Sequence, residues 1–366
     1  MTTPNRAILL TAPTPAAIAV VRLLGPAVDS LLAQHFSRPV PPDRAVHGEW
    51  RNADHILDDP VVVRTPAGAD VNLHGGPWIV STYLDHLRDA GFAITEPDLD
   101  AFDGPTTLDR EVSAALPHAR TDLAVRTLIA QPAAWSTLPS TPGHSARTPS
   151  EAPPRISSQS SPHPIDAILA DYSLHHLLHP PRVAILGPPN VGKSTLANQL
   201  FARDRAITAD LPGTTRDWVG EPANLDGLIV TLVDTPGVRP TADPIESAAI
   251  AASAAQIRAA DLVLIVLDAT LPLAPQLAVL GDHSSVLRIA NKSDRPPAWD
   301  LAAHADLQTA ATTGQGIDVL RTAIRTHFGI IPAFDPTTPR CWTARQRDTL
   351  ARAVNDPRAI SEMTAP

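Results

Sequence analysis

The residues best suited to chemistry fall in short boxes between positions 187 and 294. Gly187-Pro188-Pro189-Asn190-Val191-Gly192-Lys193-Ser194 fits the pattern G-x-x-x-x-G-K-[ST], directly after the apolar run Val183 to Leu186 and directly before the helical stretch Thr195 to Ala202. In such a loop successive amides and the helix N-terminus point at phosphate oxygens. Gly192 lets the backbone wrap closely, Lys193 reaches the β- and γ-phosphates, and the Ser194 hydroxyl ligates Mg²⁺. Val191 and Thr195 belong to the same cradle. A chance glycine-lysine turn is the bland alternative, and the strand before and helix after argue against it. Asp234-Thr235-Pro236-Gly237 follows the apolar run Ile229 to Val233. It sets a carboxylate where it holds the metal through water and brings the Gly237 amide near the γ-phosphate, although by itself it is also a common turn. Asn291-Lys292-Ser293-Asp294 follows Val286 to Ala290. A carboxylate only accepts, so Asp294 pairs with the N1–H and exocyclic amine of guanine, donors that adenine does not present in that arrangement. A polar turn is the competing reading. Ala311, in Ala310-Ala311-Thr312 ahead of Gly314, offers a backbone contact to the base. GTP and GDP are the expected ligands.

The elements that must position these boxes alternate strand, loop and helix from Val183 onward, with strands at Val183 to Leu186, Ile229 to Val233, Leu262 to Leu267 and Val286 to Ala290. Such alternation implies an α/β domain with a mostly parallel sheet, whose ligands sit at the carboxyl ends of the strands. The domain is expected over 182–329. A small α+β domain is expected before it, over 1–135, from short branched runs at Ala7 to Leu10, Ile18 to Leu23 and Val61 to Arg64, and from a helix opened by Pro77 and stopped by Gly91. Residues 136–164, rich in Ser, Thr and Pro, read as a disordered linker, 165–181 as a short helix, and 330–366 as a remainder too short to fold alone.

Composition narrows the classes. A formal net charge of -9 over 366 residues gives no overall basic footprint for nucleic acid, and a local patch would have to serve. Cys341 is the single cysteine, so no intramolecular disulfide forms. The segment Met1 to Leu10 lacks the basic and apolar regions of a leader, and the longest apolar run, Leu262 to Leu267, has the length of a buried strand rather than a membrane span. A cytoplasmic protein without membrane partners is expected.

Between the first two boxes lies Asp210-Leu211-Pro212-Gly213-Thr214-Thr215-Arg216-Asp217, whose Gly-Thr-Thr-Arg-Asp core resembles the switch I segment of one GTPase subgroup. With the other boxes it makes the catalytic module similar to the TrmE/Era/EngA group, in which Thr214 would join the nucleotide site and Thr215 would be the second protein ligand of Mg²⁺. The segments Ala7 to Gly25 and Asp70 to Phe92, the latter with His74-Gly75-Gly76-Pro77, resemble the N-terminal, folate-binding and dimerising domain of the tRNA-modification GTPase (MnmE, or TrmE) family. In that family's register Glu246 falls on the catalytic glutamate that orients the attacking water. Asn190 and the backbone around Ala209, Leu211 and Thr214 fall on its potassium site. Val238, next after Asp-x-x-Gly, cannot position water, so another group must, and potassium could supply positive charge at the phosphates. Two readings of Glu246 stand open, because Asp243-Pro244-Ile245-Glu246 also has the form of a helix capping box. His74 is open in the same way and favours a tight entry turn.

The resemblance implies GTP hydrolysis, a role in wobble-uridine modification of tRNA, an FAD-dependent partner and a homodimer. The sequence departs from the family at three places. Pro13-Thr14-Pro15-Ala16-Ala17 stands where the family has a glycine-rich loop, which speaks against a 5-formyl-tetrahydrofolate-type ligand. Only 165–181 and part of 330–366 remain of the family's split helical domain, and Met363-Thr364-Ala365-Pro366 stands in place of its terminal Cys-x-Gly-Lys. A regulatory or assembly GTPase switch without modifying chemistry is the alternative.

Overall fold

The computed structural model describes residues 4–12, 15–42, 44–53, 55–66, 68–138, 164–201, 221–234, 257–278, 283, 285–353, 356 and 359–361. They divide between His118 and Ala119 into two compact units.

In the amino-terminal unit the elements run β1 (Arg6–Leu9), β2 (Ile18–Leu24), α1 (Val28–His35), β3 (Ala45–His47), β4 (Trp50–Asn52), β5 (His55–Asp58), β6 (Val61–Thr65), β7 (Gly68–His74), α2 (Pro77–Asp89), β8 (Ala93–Thr95) and α3 (Thr107–Ala115). Six strands form one sheet in the order β3-β6-β7-β2-β1-β8, antiparallel except for β1 and β8, while β4 and β5 form a separate hairpin. β7 alternates buried and half-exposed residues along Gly-Ala-Asp-Val-Asn-Leu, the period expected of a strand with one face in a core. That core gathers Val71 and Leu73 of β7 with Trp50 and with Tyr83 and Leu87 of α2. Helix α2 starts at Pro77 as the sequence predicts, and Gly91 follows it at φ +86°, the left-handed conformation that ends helices. Gly75 has a packing reason to be glycine: a Cβ there would lie 2.3 Å from the Ala16 carbonyl oxygen. The Gly75 amide donates to the Ala17 carbonyl at 3.1 Å, so the His-Gly-Gly turn is stitched to the segment before β2. On β2, Arg22 is buried and its guanidinium forks onto Asp70 with two 2.7 Å bonds, then reaches Asp103 at 2.6 Å and the Ala101 carbonyl at 2.7 Å. Those carboxylates hold its pKa above the usual arginine value, against the opposing effect of burial.

The carboxy-terminal unit contains α4 (Asp122–Trp135), α5 (Pro164–Ala170), α6 (Ser173–Leu178), β9 (Arg182–Leu186), α7 (Lys193–Phe201), β10 (Glu221–Leu225), β11 (Leu228–Asp234), β12 (Leu262–Asp268), α8 (Leu273–Leu277), β13 (Val286–Asn291), α9 (Leu301–His304), β14 (Leu307–Gln308), α10 (Ile317–His327) and α11 (Ala344–Ala353). Its sheet runs β10-β11-β9-β12-β13-β14, parallel throughout except for β10 against β11. All seven residues of β12 are buried, as a central parallel strand covered on both faces requires. The four expected strands are present, each lengthened by one or two residues.

Two elements differ from expectation. The helix expected within 165–181 is two helices, because the Asp171 carboxylate accepts the Ser173 amide at 2.7 Å and starts α6 afresh. Residues 122–135, included in the expected first domain, form the helix α4 and belong to the second unit. Its Trp135 indole N–H donates to the Arg340 carbonyl at 3.0 Å, and its Gln131 side-chain oxygen accepts the Arg340 amide at 2.7 Å. Arg340 is itself buried, with its guanidinium 4.1 Å above the Phe334 ring. Cys341 is buried beside it in the same helical cluster. Among the described residues, no helix is long and apolar enough to cross a membrane.

Candidate functional site

At the carboxyl edge of the parallel sheet, the loop from Gly187 to Gly192 leaves β9 and enters α7. Its shape depends on backbone conformations that few side chains tolerate. Asn190 sits at φ +64° and Gly192 at φ +99°, and a Cβ on Gly192 would lie 2.4 Å from the Asn291 side-chain nitrogen. At Gly187 the added atom would meet the Val266 carbonyl oxygen at 2.3 Å. These glycines therefore let the loop lie against β12 and β13. Lys193, the first residue of α7, curls back and donates to the carbonyls of Gly187 and Pro188, each at 2.9 Å. Ser194 and Thr195 follow on the first helical turn and are exposed. Val191 is buried beneath the loop.

The second box is tied to the first by side chains. Asn291, at the end of β13, is buried with both polar atoms engaged. Its amide nitrogen donates to the Val191 carbonyl at 2.8 Å, and its oxygen accepts from the Thr309 hydroxyl at 3.1 Å and from the Ala311 amide at 3.0 Å. Lys292, at φ +63°, donates to the Asn190 carbonyl at 2.9 Å and to Asp268 at 2.6 Å. The Ser293 amide and hydroxyl both reach the Thr309 carbonyl at 3.0 Å. Asp294 stands just beyond, exposed. The ends of β12 and β13 and the residues after β14 are thereby tied to one loop, with the exposed Asp294 just beyond.

Asp268 was not singled out by sequence. It closes β12, accepts from the Thr270 hydroxyl at 2.6 Å and amide at 2.9 Å, and is framed by Gln276, whose oxygen takes the Asp268 amide at 2.7 Å. Burial by itself would raise its pKa, but the hydrogen bonds from Lys292 and Thr270 outweigh burial and hold it below the usual carboxylate range. The available signal was its place, an acid ending the apolar run Leu262 to Leu267 at the ligand edge of the sheet. The Ala311 amide donates to the Asn291 side-chain oxygen, which sets Ala311 beside the base-reading box.

Asp234 ends β11, opposite Ile185 of β9 in the register. Ala209, Leu211, Thr214, Thr215, Gly237 and Glu246 lie outside the described residues. The donor set present suits a hard cation at the helix start, a serine hydroxyl on the first turn of α7 beside a glycine cradle that any Cβ would fill. His74 belongs to the other unit, where its ring Nδ1 lies 2.7 Å from Asp58.

The family model described as "50S ribosome-binding GTPase" matches residues 182–296. The chain is similar to a tRNA modification GTPase MnmE of Chloroflexus aurantiacus, 30% identical over 410 residues that cover 98% of this chain and 89% of that protein. It is also similar to the one from Roseiflexus sp., at 31% identity over 339 residues, with 79% and 71% covered. The solved FeoB G domain of Methanococcus jannaschii is 27% identical, covers 41% of this chain and 97% of its own, and superposes with a TM-score of 0.30.

Proposed function

The chain belongs to the tRNA modification GTPase MnmE family, and from that premise we propose that it binds and hydrolyses GTP in the service of wobble-uridine modification of tRNA. The observation that carries the nucleotide half of this reading is the brace from Asn291 and Lys292 to the carbonyls of Val191 and Asn190. It fixes the base-reading box to the phosphate-binding loop, so that one guanine nucleotide is held at both ends. Asp294 accepts from the guanine N1–H and exocyclic amine, while the amides of 190–195 and the Lys193 ammonium receive the phosphates. In binding phosphate, Lys193 turns from the loop carbonyls toward the anion. Ser194, with Thr215 and Asp234, would hold Mg²⁺, which when bound neutralises charge on the β- and γ-phosphates.

The finer parts of the proposal rest on the family register. Asn190, with the backbone of Ala209, Leu211 and Thr214, takes potassium, and Glu246 orients the attacking water. In support, the Asn190 side chain is exposed while its carbonyl is occupied by Lys292. A homodimer and an FAD-dependent partner complete the reading. Folate is left out of it, because the turn through Pro15-Ala16-Ala17 carries no glycine and its backbone is stitched to Gly75.

Asp294→Asn tests the base assignment. It exchanges an acceptor for a donor, so GTP binding should weaken about 100-fold while xanthosine triphosphate, with an oxygen in place of the amine, gains. Competitive nucleotide binding measures both, and equal affinity for ATP and GTP in the parent protein would overturn the guanine reading. Turnover should rise in potassium over sodium and fall in Glu246→Ala; indifference to both removes the potassium and glutamate roles. Nucleoside analysis of tRNA from cells lacking the protein decides the biological role. Unchanged wobble uridines, with no redundant enzyme, leave a GTPase switch.

A further inference from the structure

In the amino-terminal unit the register sets His47 of β3 opposite Val61, and Val61 of β6 opposite Asn72 of β7. The ends of β3 and β7 therefore flank the turn Asp58-Asp59-Pro60 that enters β6. Asp58 is buried, its side chain 4% exposed, and both of its oxygens face His74. One accepts the His74 backbone N–H at 2.9 Å and the other lies 2.7 Å from the ring Nδ1. Asp59 is exposed, with one oxygen 3.5 Å from His74 Nδ1 and the other 3.3 Å from His47 Nε2. A ligand atom from each of Asp58, Asp59 and His74 lies within 4.8 Å of the other two.

Elsewhere in this unit several carboxylates are answered by arginine: Asp70 and Asp103 by Arg22, Asp29 by Arg64, Asp98 by Arg6. Among the described residues, no lysine or arginine pairs with Asp58 or Asp59; their ion-pair partners are imidazoles. A buried carboxylate with a second beside it is a costly excess of negative charge unless a cation joins it. Imidazole is as ready to be a ligand as a cation.

We propose that Asp58, Asp59 and His74 form a binding site for a divalent transition-metal ion, with His47 orienting the Asp59 carboxylate. One imidazole and two carboxylates suit zinc or manganese better than magnesium or calcium, which prefer all-oxygen sets. Three protein ligands leave positions open, and these face a cleft of about 530 Å³ walled by Ile18, Val61, Val63 and Leu73. The site is distinct in donor chemistry from the serine-hydroxyl site of the nucleotide.

The test is metal titration of the tag-free, EDTA-stripped full chain, with GDP and Mg²⁺ saturating the nucleotide site. Equilibrium dialysis reads Zn²⁺ uptake, and visible d–d absorption reads Co²⁺ coordination. The parent protein should take up a single equivalent. His74→Ala and Asp59→Asn alter exposed side chains and should weaken uptake about 100-fold, and His47→Ala about tenfold as an orienting group. The double variant His175→Ala/His179→Ala removes a close histidine pair of the carboxy-terminal unit, on and beside α6, and should leave uptake unchanged. No uptake by the parent, uptake indifferent to His74→Ala and Asp59→Asn, or uptake abolished by the α6 variant would each overturn the proposal.

Discussion

The two units hold charge in opposite ways. At the carboxyl edge of the parallel sheet, Lys193 donates to two loop carbonyls and Lys292 to a third and to Asp268, so two ammonium groups stand beside the phosphate-binding loop. In the amino-terminal unit, Asp58 and Asp59 meet only imidazoles among their described ion-pair partners, a surrounding suited to a cation. The difference follows from strand direction. Parallel strands all end at one edge, so boxes that each follow a strand converge there. An antiparallel sheet brings groups together by register, and of residues 47, 58, 59 and 74 only His74 lies in a stretch that the sequence marks.

The largest expected effect breaks the anion side of this contrast. Lys193→Ala removes the one ammonium that starts α7 and should lower kcat/KM for GTP by about 100-fold or more, measured by phosphate release. A loss of less than about threefold would mean that the loop amides carry the phosphates unaided and that this ammonium is incidental. A smaller effect sharpens the contrast by showing how Lys292 is braced. Asp268→Asn keeps the shape and the Thr270 bonds but withdraws the charge that holds Lys292. GDP affinity should fall about tenfold, read by fluorescent-nucleotide displacement, because one charged hydrogen bond behind the base box is weakened. No change would assign the hold on Lys292 to the Asn190 carbonyl.

What the sequence made legible follows the same division. The boxes around Gly192, Lys193, Asn291 and Asp294 are local, each a few residues after an apolar strand, so pattern and order were enough to place them at the carboxyl edge of the sheet. Thr309 and Asp268 act through Asn291 and Lys292 from neighbouring strands, and no spacing along the chain encodes that contact. Residues 122–135 were drawn to the first segment by chain proximity, whereas Trp135 of α4 donates to Arg340, 205 residues away. Arg22 on Asp70 is the same case within an antiparallel sheet, a pairing fixed by the register of β2 and β7.

The smallest effect concerns how each unit treats histidine. His47 and His74 stand beside carboxylates, whereas His176 on α6 is pressed edge-on against Phe328, ring centroids 5.0 Å apart, with His175 at 5.8 Å. Burial, then the neighbouring His175, and more weakly His327, push the His176 pKa down to about 4, against small opposing effects of Asp261 and Asp171. Unfolded, the same ring titrates near its ordinary value of about 6.5. As pH falls through that value the unfolded chain takes a proton that the folded ring refuses, so stability declines until about pH 4, where the folded ring is protonated too. His327, also lowered by burial, adds to the same trend, and His86 is the one amino-terminal ring lowered in this way, by burial and His35. His176→Gln should therefore shrink, without abolishing, the drop in melting temperature of the carboxy-terminal unit between about pH 7 and pH 5, followed by hydrogen exchange of the α6 and α10 amides. A drop of unchanged size would move the acid sensitivity to His327 or to the carboxylates, and the two units would then differ in where they bind ions but not in how they bear acid.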